Sequence, residues 1–341
     1  MKDDKERPLQ GSDALLHTIT SKEDSNQPIW ESAQLTYQVQ EHEDGIQLRT
    51  VLLSRLHLSR RLITRLKKLE NAITVNGGRS YNHKALSAGD EVVIRVAEPQ
   101  KETIVPEPIP IEIIHEDDDI LVLNKPPDIV VHPTYGFPNG TLANGVVHYW
   151  RSRGEQTRFR PVHRLDQETS GVLVVAKHAY AHQQLSEQMQ RGEMGKRYIA
   201  FVEGAPHPVE GTVHAPIDRD PVDRHLRIVT PAGYDSITHY RTLAVYPALG
   251  TQAAKVSCRL ETGRTHQIRV HMQHIGCPLI GDKFYNPNGV LHHELKRHAL
   301  HAVELSFIHP MTREKVVFEA PLPEDLVHLE HDLQQRARKG D

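Results

Sequence analysis

The sequence predicts an α+β protein of two domains, a small one followed by a larger one built on a mixed, mostly antiparallel sheet. Three observations predict this. At 341 residues the chain has room for one large and one small domain, and it can bury a substantial core without disulfides or metals. Short apolar runs at 120–123, 129–131, 172–175, 198–202, 256–260 and 268–270 are separated by turns, with no regular strand–helix alternation, which disfavours a doubly wound parallel sheet. Pro99, Pro106, Pro108 and Pro110 form a stretch that neither a helix nor a central strand accommodates, and this marks the domain boundary.

In chain order, residues 1–33 are polar and aperiodic, which reads as a flexible tail. Residues 34–97 form the small domain. Leu35, Tyr37 and Val39 alternate as in a strand that closes at Glu43-Asp44-Gly45. Ser59 then stands where a helix N-cap belongs. Behind it Leu62, Leu66 and Leu69 mark one helical face, while Arg60, Arg61, Arg65, Lys67 and Lys68 occupy the others. A strand at 72–75, the turn Asn76-Gly77-Gly78 and a strand at 91–96 complete the domain. The linker is 98–110, the large domain 111–325, with its clearest helix at 180–191 on the spacing of Leu185 and Met189. Residues 326–341 read as a polar tail.

Charge is unevenly distributed. The whole chain carries −3 with histidines neutral, yet residues 1–45 hold 4 basic and 10 acidic side chains and residues 46–97 hold 10 basic and 3 acidic. Residues 101–120 return to 1 basic and 7 acidic. A basic domain between acidic segments points to an anionic partner such as RNA; a merely solvated basic helix is the bland alternative. Two cysteines, Cys258 and Cys277, give no disulfide framework, which suits a reducing cytoplasm. No apolar stretch reaches membrane-spanning length, and a monomer is expected.

Chemistry concentrates at His163-Arg164-Leu165-Asp166-Gln167-Glu168-Thr169-Ser170-Gly171, ahead of the apolar run 172–176. One carboxylate, Asp166, lies between a cation and small hydroxyl and glycine residues at the mouth of a buried strand. Alone, such an aspartate is more often an N-cap or a turn former. Other segments change that balance: Leu123-Asn124-Lys125-Pro126-Pro127 with Val131-His132-Pro133; Lys196-Arg197-Tyr198 with Val202-Glu203-Gly204; 262–271, containing Arg264, Gln267, Arg269 and His271; 278–285; and Leu300-His301-Ala302 with 307–310. Together with the Asp166 stretch they resemble, in order, the RluA-type pseudouridine synthases over about residues 111–322. The small domain resembles the S4 RNA-binding domain in Leu58-Ser59-Arg60-Arg61, 73–77 and 86–92.

These resemblances imply a pseudouridine synthase fold and an isomerase acting on uridine in structured RNA. Large-subunit (23S) ribosomal RNA is the first substrate to expect and transfer RNA the second. Asp166 would act at the ribose C1′, as a nucleophile or by assisting formation of a glycal. Arg269 would be its two-point ion-pair partner, favouring the charged carboxylate and fixing its direction. Tyr198 would stack on the flipped base with its phenol near C5. Arg164 would help hold the RNA with that base out of the stack. His163, Leu165, Thr169, Ser170, Gly171, Arg264, Gln267 and His271 would give supporting contacts, although His163 and His271 read equally well as structural histidines. Asp128 stands where the family has glycine, so that turn is expected to differ in shape.

No cofactor, nucleotide or metal is expected. His293-Glu294-Leu295-Lys296-Arg297-His298 looks like a zinc-protease helix, but its histidines are five apart where four are needed. His266 and His271 are expected on opposite faces of a strand. No glycine-rich phosphate loop occurs. The remaining alternative is an S4-containing RNA-binding or ribosome-assembly factor without activity.

Overall fold

The structure is a computed structural model that describes residues 33–96, 103–248, 251–291 and 295–339. The predicted tail at 1–33 thus lies outside the described residues except for Ala33, as do His293 and Glu294. Contacts divide the chain into Met1–Glu98 and Pro99–Asp341.

In the first unit β1 (Gln34–Gln38) leads to a short helix α1 (Leu48–Thr50), which runs into a π-helical turn, Val51–Arg55. Helix α2 (Arg60–Leu66) follows, then β2 (Ile73–Val75), β3 (Gly78–Arg79) and β4 (Glu91–Arg95), in the sheet order β1-β4-β2-β3. Ser59 caps α2 by accepting from the Leu62 N–H at 3.2 Å. Leu62, Ile63 and Leu66 face the core, whereas Leu69, Lys67 and Lys68 lie beyond the helix. There the chain tightens into i→i−3 bonds (Lys68 to Arg65, Leu69 to Leu66) that end α2 sooner than the leucine spacing predicts.

In the second unit β5 (Glu112–Glu116), β6 (Ile120–Lys125), helix α3 (Leu142–Ser152), β7 (Ser170–Ala176), helix α4 (Ala179–Gln190) and β8 (Gly195–Glu203) are followed by β9 (Glu210–His214). A small hairpin, β10 (Ile217–Arg219) and β11 (Arg227–Val229), precedes β12 (Ile237–Ala248) and β13 (Thr251–Leu260). Helix α5 (Gln267–His274), β14 (Leu300–Ile308), β15 (Lys315–Glu319) and helix α6 (Glu324–Lys339) complete it. Among the described residues nine strands form one sheet in the order β5-β6-β7-β14-β8-β13-β12-β9, with β15 on β14. Only β7 and β14 pair in parallel among these, so the mixed, mostly antiparallel sheet predicted from the spacing of apolar runs is the one found.

Two-residue periodicity distributes side chains to two covered faces. From β8, Tyr198, Ala200 and Val202 join the core under α3 and α5, while Ile199 and Phe201 turn to the other face and meet α6. Gly171 (φ +114°) stands at the parallel crossing, where a Cβ would lie 2.1 Å from the Ala302 carbonyl oxygen. The strand that leaves the Asp166 loop can therefore approach β14 only with glycine there.

Four expectations need correction. Residues 268–270 are helical: Ile268 and Met272, four apart, both enter the core on α5, and a three-residue run cannot distinguish the two periods. Residues 129–131 form no strand, because the carbonyls of Val130 and Val131 accept the first N–H groups of α3 (2.9 and 3.1 Å). The described part of the expected linker packs on α3: Asn144 Nδ2 donates to the Val105 carbonyl at 2.8 Å, and a Cβ on Gly145 would lie 2.9 Å from Ile109 O. The expected polar tail at 326–341 is instead largely helix α6, with Leu326 and Leu333 buried against Phe201 and Tyr246.

Candidate active site

A cleft on the α5 side of the sheet is lined by Arg164, Leu165, Asp166, Thr169, Tyr198, Leu260, Arg264, His266, Gln267, Ile268, Arg269 and Leu300. Four separate chain segments meet there: the loop before β7, strand β8, the stretch from the end of β13 to the start of α5, and the start of β14.

The loop is fixed from below. Thr169 N–H closes a turn onto the Asp166 carbonyl (3.1 Å), and Leu165 is buried in the core. Thr169 Oγ1 bonds His298 Nε2 at 2.7 Å, and Ser170 Oγ bonds His301 Nδ1 at 2.9 Å. Lys125, fully buried, donates its ammonium to the carbonyls of Pro126, Ile129 and Gln167 (2.8–2.9 Å). Burial pulls this lysine down to about 7, and its third bond ties the residue after Asp166 to the end of β6. Asp128, in the same turn, has φ +64°. That left-handed conformation is one that aspartate tolerates.

Arg269 organises the centre, in a way the sequence reading assigns differently. Its two-point contact is with Asp282, Nε to Oδ2 at 2.7 Å and Nη2 to Oδ1 at 2.8 Å, both groups buried. Only Nη1 reaches Asp166, at 3.4 Å. The two-point contact expected for Asp166 is thus made from behind, because the turn after Gly281 brings a second carboxylate against the inner edge of the guanidinium. The plane is also flanked by the rings of Tyr285 (5.0 Å) and Phe284 (5.5 Å). Burial alone would lower the arginine, but the bonds and charge of Asp282, with Asp166, raise it, so it stays charged.

His266, ahead of α5, has φ +60°, a costly conformation for a branched-ring side chain that clusters at functional sites. Its Nδ1 lies 2.8 Å from the Tyr285 hydroxyl, which accepts the Arg227 N–H at 2.9 Å. The hydroxyl then has one proton to give, to Nδ1, and the ring proton is assigned to Nε2, 3.9 Å from Asp166. Burial, with Arg269 and Arg227 nearby and only Asp166 and Asp282 opposing, pushes this imidazole down to about 4. It is neutral at pH 7.

Tyr198 is buried on β8, and its hydroxyl has no hydrogen-bond partner among the described residues. Burial and then the charge of Asp166 raise its phenol well above the ordinary range, so it is protonated. Arg164 and Arg264 are exposed at the mouth, Arg264 lying over the Tyr234 ring at 5.5 Å.

Several expected site residues hold the scaffold instead. Gln267 spends its amide on Thr262, Arg264 N–H, Ile237 O and Thr238. His271 is fully buried between Thr238 and Ala215 O. His163 Nε2 faces the Val174 N–H at 3.5 Å and is pushed down to about 3 by burial and Lys196. Conversely, Asp282, His266, Phe284, Tyr285 and Lys125 were given no role from the sequence, although 278–285 stands out there as a block.

Asp117, Asp119 and His309 also lie within metal-ligating reach of one another. His309 Nδ1, however, accepts the N–H groups of Met311 and Thr312, so Nε2 carries the ring proton toward Asp117 and offers a cation no lone pair.

The family model described as RNA pseudouridylate synthase matches residues 119–274. The chain is 40% identical over 275 residues to a Bacillus subtilis (strain 168) protein named uncharacterized RNA pseudouridine synthase YjbO, covering 80% of this chain and 95% of that one. It is 39% identical over 273 residues to ribosomal large subunit pseudouridine synthase D of Escherichia coli (strain K12), covering 76% and 82%. Among solved structures, human RNA pseudouridylate synthase domain containing 4 matches with a TM-score of 0.53 at 25% identity, over 65% of this chain and 93% of that one. The chain belongs to the RluA-type RNA pseudouridine synthases, isomerases that convert uridine in RNA to pseudouridine.

Proposed function

We propose that Asp166 acts at C1′ of a uridine turned out of its RNA into this cleft, with Arg269 aiming its carboxylate. The supporting observation is the arrangement around one guanidinium: Asp282 occupies the inner edge from a buried position, leaving Nη1 for Asp166 at the open end. Tyr198, across the cleft, offers a ring face and an uncommitted hydroxyl to the base.

In the isomerisation the bond from N1 to C1′ breaks, the held base turns, and C5 bonds to C1′. C5 then loses a proton while N1 gains one, so nothing is added or removed overall. Asp166 serves either as nucleophile at C1′ or by taking the proton that yields a glycal; both routes neutralise it. Bonding of C5 to C1′ releases the Asp166 carboxylate again, as leaving group on the first route or by return of the proton to C2′ on the second, and the proton then leaves C5 with the Tyr198 hydroxyl as the proton-transfer group.

Arg164 and Arg264 meet phosphates at the mouth. The first unit, with exposed Arg60, Arg61, Lys67 and Lys68 and half-buried Arg65 on and after α2, serves as an S4-like RNA-binding domain. We take large-subunit ribosomal RNA as the substrate, on the similarity to the enzyme named for that subunit, and the cytoplasm as the place of action. Chemical mapping of pseudouridines in ribosomal and transfer RNA, from cells with and without the gene, tests this. One or more sites in the large-subunit RNA should vanish; loss confined to transfer RNA, or no loss at all, would overturn the substrate assignment.

A further inference from the structure

We infer that Phe284 and Lys283 form a platform for the nucleotide next to the target uridine, the ring stacking on its base and the ammonium meeting its phosphate. This rests on the reading that the Asp166 cleft takes a flipped uridine. An exposed phenylalanine says little alone. Phe284 differs in what stands behind it: its ring, 54% exposed, covers the guanidinium of Arg269 at 5.5 Å and lies 6.3 Å from the His266 ring at 23° to it. Both of those residues line the cleft. The turn is fixed too, because buried Asp282 Oδ1 accepts the N–H groups of Phe284 (3.0 Å) and Tyr285 (3.1 Å) as well as Arg269 Nη2. One carboxylate therefore positions the arginine that faces Asp166 and the ring beside it.

The occupant follows from chemistry. Lys283, with a 63% exposed side chain tied to Glu168 at 3.1 Å, stands next to the ring, and Arg164 and Arg264 are exposed around the same mouth. An aromatic face among cations fits a partner with π faces on an anionic backbone, which is single-stranded nucleic acid. Turning a uridine out also leaves its neighbour without a stacking partner. A rigid ring beside the cleft replaces that partner, and its sequence tolerance leaves the choice of uridine to other contacts.

The test uses the full chain and ribosomal or transfer RNA from cells lacking the gene, whichever the wild type modifies, with KM and kcat measured separately. Base stacking on an aromatic residue corresponds to roughly 5- to 150-fold in binding. Phe284→Leu should raise KM within that range and change kcat less than about threefold, while Phe284→Trp keeps the wild-type KM. Lys283→Ala should reduce the dependence of log affinity on log salt by about 0.7. Leucine keeps the apolar cover over Arg269 without a π face. Wild-type KM in Phe284→Leu would therefore make the ring mere packing and overturn the platform, as would a fall in kcat at unchanged KM. Wild type modifying neither RNA would overturn the reading of the cleft, and the platform with it.

Discussion

Asp282 and Asp166 stand on opposite sides of one guanidinium and are held in opposite ways. Asp282 is fully buried and accepts two bonds from Arg269 and two from backbone N–H groups. Asp166, its side chain 27% exposed, has one 3.4 Å contact with the same arginine. A buried carboxylate that holds four hydrogen bonds braces a structure and cannot readily attack a substrate. One with a single long contact keeps an oxygen free, and the brace opposite fixes the direction in which that oxygen points. The inner side of Arg269 thus supplies rigidity and the outer side reactivity.

Substitutions can separate the two sides. The largest combined effect is expected for Arg269→Gln, which strands the buried Asp282 charge and leaves Asp166 unaimed. Stability should fall by about 3–5 kcal/mol, read from urea midpoints, and pseudouridine formation should fall with it. A variant of near wild-type stability would show that the inner pair is no brace. On the outer side, Tyr198→Phe removes only the hydroxyl. Its kcat should drop roughly 10²- to 10⁴-fold, the range for a positioned proton-transfer group, with KM little changed, whereas Tyr198→Leu should also raise KM. Equal kcat for wild type and Tyr198→Phe would leave the tyrosine a stacking role alone.

The smallest effect concerns pH. His266 titrates at about 4 in the folded chain against its ordinary 6.5, so between those values the unfolded chain binds more protons. Its contribution to stability is complete above about 6.5 and is lost as pH falls toward 4, at up to about 1.4 kcal/mol per pH unit. His163, at about 3, extends the same trend lower. Urea midpoints between pH 7.5 and 4.5 should decline less steeply for His266→Gln than for wild type; identical slopes would mean that His266 is not held neutral.

The contrast between the two carboxylates also explains what was legible in the sequence. Asp166, Tyr198 and Arg269 stand out because each lies in a run whose residue types are unusual together. Asp282 stands inside such a run too, but its role depends on the turn at Gly281 bringing it to α5, a tertiary fact with no local signature. The motifs therefore point the two-point contact of Arg269 at Asp166, not at Asp282. Helix α5 reads as a strand because three residues cannot separate a period of 2 from one of 3.6. Helix α6 reads as a polar tail although Leu326, Leu329 and Leu333 have helical spacing; the many charges between them hide the stripe. The sheet itself was readable, since burial on two faces demands long apolar runs.

The central claim, that the loosely held carboxylate does the chemistry and the tightly held one does not, is tested most directly on Asp166→Asn. Single-turnover pseudouridine formation should be measured on RNA from cells lacking the gene, alongside RNA affinity and the urea midpoint of the same preparation. Product formation should fall at least about 10³-fold while affinity and midpoint stay at wild-type values. Product formed at a rate within tenfold of wild type, or loss of the midpoint together with activity, would contradict the claim.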